Sequence, residues 1–192
     1  YVGWSKSEAY LVMGIWNILN YFSWSFFGVN LMYLENKVLE GTFDYILLKP
    51  ISSSWLSSFG DFFLNNFVTG FSGILLVGYY FLLEWQNLTI QNILFGLLGV
   101  CIAFVFWYGI YLFFASFTIS KPRNGFLAIA KELLGITKYP VDIFGNTFKT
   151  VLYTVIPIAF VTTVPANIII GRTDYIYLVI SLVISLTLLL VA

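Results

Sequence analysis

The sequence predicts an all-α membrane protein, a polytopic helical bundle, and three observations lead there. The first is composition: 60% of the 192 residues are hydrophobic, 9% are charged and the mean hydropathy is +0.91. A soluble domain carries roughly 25% charged residues and 45–50% apolar ones, so too few charges are present to coat a water-soluble body. A cytosolic enzyme is excluded. The second is spacing: the charges leave uncharged runs at 9–34, 62–83, 85–120, 150–171 and 175–192. A helix crosses the roughly 30 Å hydrocarbon layer with about 20 apolar residues, so each run suffices for one crossing. The third is periodicity. Strands of a membrane barrel alternate in and out over about 10 residues, whereas Ile74-Leu75-Leu76-Val77 and Leu178-Val179-Ile180 do not alternate.

In chain order, the expected elements are spans at about 8–33, 60–83 and 93–117, a broken segment at 124–170 and a last span at 175–192, all within one transmembrane domain. The run 85–120 is too short for two spans and a turn, and Trp85 to Asn92 is polar, so it yields one span. The segment Tyr1–Glu8 lacks the basic region of a signal peptide. Tyr1 at the start and the apolar run Leu188 to Ala192 at the end lead to the expectation that a first span precedes this segment in a longer protein.

Lysine and arginine near span ends set orientation. The loop 35–61 holds Lys37 and Lys49, and 118–124 holds Lys121 and Arg123; 84–92 has neither residue type. The first two are therefore expected inside and the third outside. Trp4, Tyr33, Tyr79, Tyr80, Trp85 and Tyr175 fall where interfacial aromatic anchors belong.

Residues 122–172 admit two readings. In one, 125–146 is an interfacial helix and 147–170 a span kinked at Pro157 and Pro165. In the other, 124–139 is a short span and 140–170 a broken, half-inserted hairpin at the outer face. Backbone groups freed by proline at membrane depth need protein or water partners.

Several function classes drop out. Nine basic and nine acidic residues balance, giving no basic field for nucleic acid. Histidine is absent and Cys101 is the one cysteine, which removes histidine metal sites, histidine-dependent triads and an internal disulfide. No phosphate loop of the G-x-x-x-x-G-K-[ST] kind occurs, so this chain does not bind ATP or Mg by itself. Two alternatives stay open: a membrane-embedded lipid-modifying enzyme, which needs paired ionisable groups at membrane depth, and a secondary carrier, which shows inverted repeats; neither pattern is evident in the sequence. Lys131 and Glu132 are the candidate intramembrane charges, and as neighbours on a helix they do not face one another.

The most informative stretch is Glu35 to Asp61. Val38, Leu39, Phe43, Ile46, Leu47 and Leu48 interleave with Glu35, Lys37, Glu40, Asp44 and Lys49; Gly41 breaks one short helix and Pro50 ends the next. The pattern describes an amphipathic helix across the span ends, either an interfacial anchor or a docking surface. The run Leu39 to Ser52, with Gly41, Asp44, Leu47-Leu48-Lys49-Pro50 and Ser52, resembles the G-x-x-D-x-x-L-L-[KR]-P-[IL]-S signature of bacterial type-2 ABC transporter permeases. Those proteins are the six-span membrane subunits of ATP-driven exporters. A second stretch is similar to that group's later pattern: Tyr139-Pro140-Val141-Asp142-Ile143-Phe144, Phe148-Lys149, Ile156-Pro157 with Phe160, Pro165-Ala166 and Ile170-Gly171. The resemblance covers essentially the whole chain, and it departs at Thr162-Thr163, where aromatics are common, and at Phe148, where leucine is usual.

The resemblance implies a six-span permease in the bacterial plasma membrane, with ABC ATP-binding subunits, a second permease subunit and membrane lipids as partners. ATP and Mg would be bound by the partner subunit. Residues 35–58 would hold the coupling helix, with Glu40, Gly41, Phe43, Asp44, Leu47, Lys49 and Pro50 as coupling residues. Phe43, Ile46 and Leu47 would hold it to the spans. Tyr139, Pro140, Lys149, Pro157, Phe160 and Pro165 would form an outer gate segment, which favours the hairpin reading. Gly70, Gly73, Gly78, Gly96 and Gly99 permit close helix packing, and Asn17, Asn20, Ser23 and Ser25 form a polar stripe suited to a transport path or to bonds between helices. Asn87-Leu88-Thr89 fits a glycosylation sequon, which carries no meaning in a bacterial protein. The aromatic, uncharged interior points to an amphipathic substrate.

Overall fold

The computed structural model describes residues 3–123, 125–154 and 157–192, and no strand occurs among them. Asn124, at the start of the broken segment, and Ile156 of the second motif lie outside the described residues.

The first helix, α1 (Lys6–Ser23), opens on a capping box: the Ser5 hydroxyl accepts from the Glu8 N–H at 3.2 Å, and Glu8 accepts from the Ser5 N–H at 2.8 Å. It passes through one π-helical turn, Trp24–Gly28, into α2 (Val29–Met32) with helical dihedrals on both sides. The result is one rod of 27 residues, about 40 Å long at 1.5 Å per residue. Three short helices follow: α3 (Leu34–Leu39), α4 (Phe43–Leu47) and α5 (Ser53–Ser58). Gly41 separates the first two in the left-handed conformation, φ +71°, which only glycine adopts without strain. The serine-rich α5 had no counterpart in the sequence reading; the Ser52 hydroxyl caps it by accepting from the Trp55 N–H at 3.2 Å.

Among the described residues two helices are long and apolar enough to cross a membrane: α6 (Leu64–Glu84), whose apolar stretch reaches Asn87, and α7 (Ile90–Ser120). They differ in burial. α7 is the central post, burying residues along its length from Gly96 to Thr118. α6 buries Gly70, Gly73 and Tyr80 and exposes Leu75 and Leu82. The shorter apolar helix α11 (Ile176–Val191) lies on the far side of α7 and likewise exposes most of its aliphatic residues.

Glycine sets the α1–α6 contact. A Cβ on Gly73 would lie 2.6 Å from the Gly14 carbonyl oxygen and 2.7 Å from the Ile18 nitrogen, both backbone. Gly96 and Gly99 do the same service against Ile169, Pro165 and Leu178. Gly78 faces open space and belongs to no such seam, while Gly14, absent from the sequence reading, is half of the tightest crossing.

After α7 the chain turns back as α8 (Phe126–Ile136), with Phe126 near Phe117, ring centroids 5.5 Å apart. The rest is broken: a 3-10 turn at Val141–Ile143, α9 (Asn146–Thr154), a 3-10 turn at Ile158–Phe160 and α10 (Thr163–Ile170). Pro165 does not interrupt a helix as the sequence suggested. It sits in the first turn of α10, where a missing N–H costs nothing.

Candidate functional site

The packing sorts the functional candidates to two opposite ends of the bundle, here called the Arg172 end and the Asp44 end. At the Arg172 end, Arg172 Nη2 donates to Glu8 Oε1 at 2.6 Å, and Nη1 donates to the Gly3 carbonyl at 3.1 Å. Glu8 is only 8% exposed and so performs two tasks, capping α1 and holding the guanidinium. Trp4 joins the same group, its indole N–H donating to Asp142 at 3.2 Å while Arg172 lies 5.7 Å from its ring. Asp142 also forms an ion pair with Lys149. Ser7 donates to Glu84 at 2.8 Å, and the Tyr175 hydroxyl donates to Asn92 at 2.6 Å. These bonds bring the starts of α1, α7 and α11 together with the end of α6 and the broken segment.

The gate residues named from sequence come together here. Tyr139 and Pro140 line a cavity with Trp4, Lys149 pairs with Asp142, and Phe160 packs with Ile102, Val164, Ile168 and Leu178. Pro165 lies over Gly99, and Pro157 precedes the 3-10 turn carrying Phe160. The unusual Thr162-Thr163 pair has a physical role. Thr162 donates to the Thr137 carbonyl at 2.5 Å, and the Val141 N–H donates to Thr163 Oγ1 at 3.0 Å. Backbone groups released where α8 ends and the 3-10 turn begins are thus satisfied inside the protein, as an apolar environment demands.

At the Asp44 end, Asn30 is 2% exposed and fastens the loop. Its amide donates to the carbonyls of Phe26, Ser58 and Asp61 at 3.1, 3.0 and 2.7 Å, and its oxygen accepts from the Asp61 N–H at 3.2 Å. Ser25, in the π turn, donates to the Phe63 carbonyl at 2.9 Å and accepts through its own carbonyl from the Phe63 N–H at 3.1 Å. The loop therefore leaves and re-enters the bundle at fixed points. Between them Phe43 is buried and Ile46 half-buried, whereas Leu47 is 56% and Leu48 82% exposed. The expectation that Leu47 anchors the loop is corrected: on a helix as short as α4 only one side can face the spans, and positions 43 and 46 occupy it. Glu40, Gly41, Asp44, Tyr45, Lys49 and Pro50 are exposed.

Two adjoining cavities that share Trp16 lie along α1, the first against residues 138–143 and Trp4 toward the Arg172 end, the second against α8 and Asn66 of α6. One, of about 370 Å³, is bordered by Trp4, Met13, Asn17, Lys138 and Tyr139. The other, of about 410 Å³, is bordered by Asn20, Trp24, Asn66, Lys131 and Glu132. Asn17 and Asn20 of the expected polar stripe face these cavities. Ser25 binds backbone instead, and Ser23 is buried with no hydrogen-bond partner among the described residues. Lys131 rests 5.5 Å from the Trp24 ring and makes no ion pair with Glu132. Glu8, Asn30 and Arg172 were missed from sequence, although a capping box preceding an apolar run could have marked Glu8.

A bundle of apolar helices around α7, with polar clusters confined to its ends and to one lateral trench, defines a helical membrane protein. The model of the ABC-2 family transporter protein matches residues 1–192, and the chain belongs to that family of transporter membrane components. The chain matches no curated protein and no solved structure. Permeases of this family are generally non-catalytic and typically work with an ATP-binding subunit.

Proposed function

We propose that the chain is the permease subunit of an ATP-driven exporter in the bacterial plasma membrane, crossing it several times. In this reading it pairs with a second permease and two ATP-binding subunits that hold ATP and Mg. The Asp44 end faces the cytoplasm and the Arg172 end faces out, as the lysines of 35–61 and 118–124 favour. The observation that carries the proposal is α4 itself. It is a short amphipathic helix set on the span ends by Phe43 and by Asn30's bonds to the loop's return, with Asp44, Tyr45, Leu48 and Lys49 left free. Such a lever fits a groove in a soluble partner. Motion of that partner would pass through Asn30 and the Ser25–Phe63 bonds into the α1–α2 rod and α6. The trench along α1, walled by α8 and by residues 138–143, is the path we assign to an amphipathic substrate, with Tyr139, Pro140, Lys149, Pro157, Phe160 and Pro165 closing its outer end.

The test is a transporter reconstituted with its ATP-binding subunits and carrying Asp44→Ala with Lys49→Ala. Exposed charge pairs contribute about 0–1 kcal/mol each and mainly fix register, so the expected result is loss of coupled transport with normal insertion and thermal stability. Transport at the wild-type rate would remove the coupling assignment.

A further inference from the structure

We infer that the upper part of the trench takes the charged end of a compact amphiphilic anion, an apolar ring body bearing one sulfonate, carboxylate or phosphate group. The inference rests on the transport reading above and names the substrate class for that path. It follows from which charges at the Arg172 end are already engaged. Glu8 is held by Arg172 and by the Ser5 N–H, and Asp142 by Lys149 and the Trp4 indole. Lys138 borders the cavity, is exposed, and has no carboxylate within ion-pair distance among the described residues; its ammonium rests 5.0 Å from the Tyr139 ring centroid. The half-buried Asn17 amide, on the opposite wall, makes no hydrogen bond within the described residues. Lys138 is the one charged side chain among the residues bordering this cavity, so an anionic ligand gains a charge-assisted contact there.

The walls decide the rest of the ligand. The indole N–H groups of both tryptophans are engaged, Trp4 on Asp142 and Trp16 on the Leu134 carbonyl at 3.4 Å. Their rings therefore offer the cavity apolar surface rather than donors, beside Val12, Met13 and Ile143. Three aromatic residues around a cavity also suggest a cage for an organic cation. Here that reading fails, because Lys138, the charged residue bordering this cavity, already lies over the Tyr139 ring. A ligand cation would meet the Lys138 ammonium and, among the described residues, no carboxylate on the wall of this cavity. A volume of about 370 Å³ lies near the lower limit of small-molecule pockets and suits a ring body rather than a two-chain lipid.

The experiment uses the full transporter in nanodiscs of zwitterionic lipid, without nucleotide, so that a failure of ATP coupling leaves its result untouched. Binding of 1-naphthalenesulfonate and of 1-naphthyltrimethylammonium is measured by equilibrium dialysis against empty nanodiscs. The sulfonate is expected to bind saturably and the ammonium no better than to empty discs. Lys138→Gln should weaken sulfonate binding about tenfold, the loss of one charge-assisted hydrogen bond, and Lys138→Arg should retain it. Asn17→Ala, which leaves every charge in place, should weaken it by a smaller factor. Equal binding of the two probes, tighter binding of the ammonium, or unchanged sulfonate affinity in Lys138→Gln would overturn the inference.

Discussion

The two ends of the bundle treat charge in opposite ways. Both ion pairs found among the described residues, Glu8–Arg172 and Asp142–Lys149, lie at the Arg172 end; the second ties the broken segment to itself, and the first ties the turn just after it to α1. The Asp44 end carries Glu35, Lys37, Glu40, Asp44 and Lys49 and has no ion pair among the described residues. It is held together instead by a neutral side chain, Asn30, bonding to backbone. One end uses its charges to close on itself. The other achieves rigidity without charge and leaves its ionic groups available. A surface meant to receive a soluble partner calls for the second arrangement, since rim charges guide association and register.

Substitutions at the two ends should separate these roles. The largest effect on stability is expected from Asn30→Ala, which leaves the Ser58 and Asp61 backbone groups without partners at a cost of about 1–3 kcal/mol for each one that stays buried. Thermal unfolding in detergent, with protease cleavage in the 35–58 loop as a local reading, checks this; both should change together. Next comes Arg172→Gln. It strands a nearly buried carboxylate, and because the guanidinium is partly exposed the loss should be about 1–3 kcal/mol, below that of a fully buried pair. Adding Glu8→Gln should recover part of it, a coupling that a double-mutant cycle measures. Gly73→Ala should cost about 1–3 kcal/mol by overpacking against backbone, while Gly78→Ala, in open space, should be neutral or slightly stabilising. Smallest is Asp44→Asn with Lys49→Gln, within about 0.5 kcal/mol on unfolding, although transport is expected to be lost.

The same contrast shows how much was legible in the sequence. At the Asp44 end the turns are legible because their logic is local: Gly41 adopts a left-handed conformation between two short helices, and Phe43 and Ile46 lie three apart on one side of α4. The apolar runs placed α6, α7 and α11 to within a few residues, since uncharged length is itself the signal. The Arg172 end resisted. Its geometry depends on pairings across the chain, Glu8 with Arg172 and Trp4 with Asp142, that no local pattern contains. The same holds for Asn30, which reads as one polar residue in an apolar run until Ser58 and Asp61 are brought beside it. The Thr162-Thr163 departure looked like a weakness of the family resemblance, and the structure gives it a use. Leu47 departs from its expected anchoring role because α4 has only one side facing the spans, and Phe43 and Ile46 fill it.

Crosslinking from the tip of α4 tests the central claim most directly. With Cys101→Ala removing the native thiol, Leu48→Cys and, at the opposite end, Tyr139→Cys are each placed in native membranes and treated with a thiol–amine crosslinker. The account predicts that position 48 yields an adduct with a protein containing an ATP-binding phosphate loop, and that position 139 does not. An adduct with such a protein from position 139, or its absence at position 48 in a transport-competent complex, would contradict it.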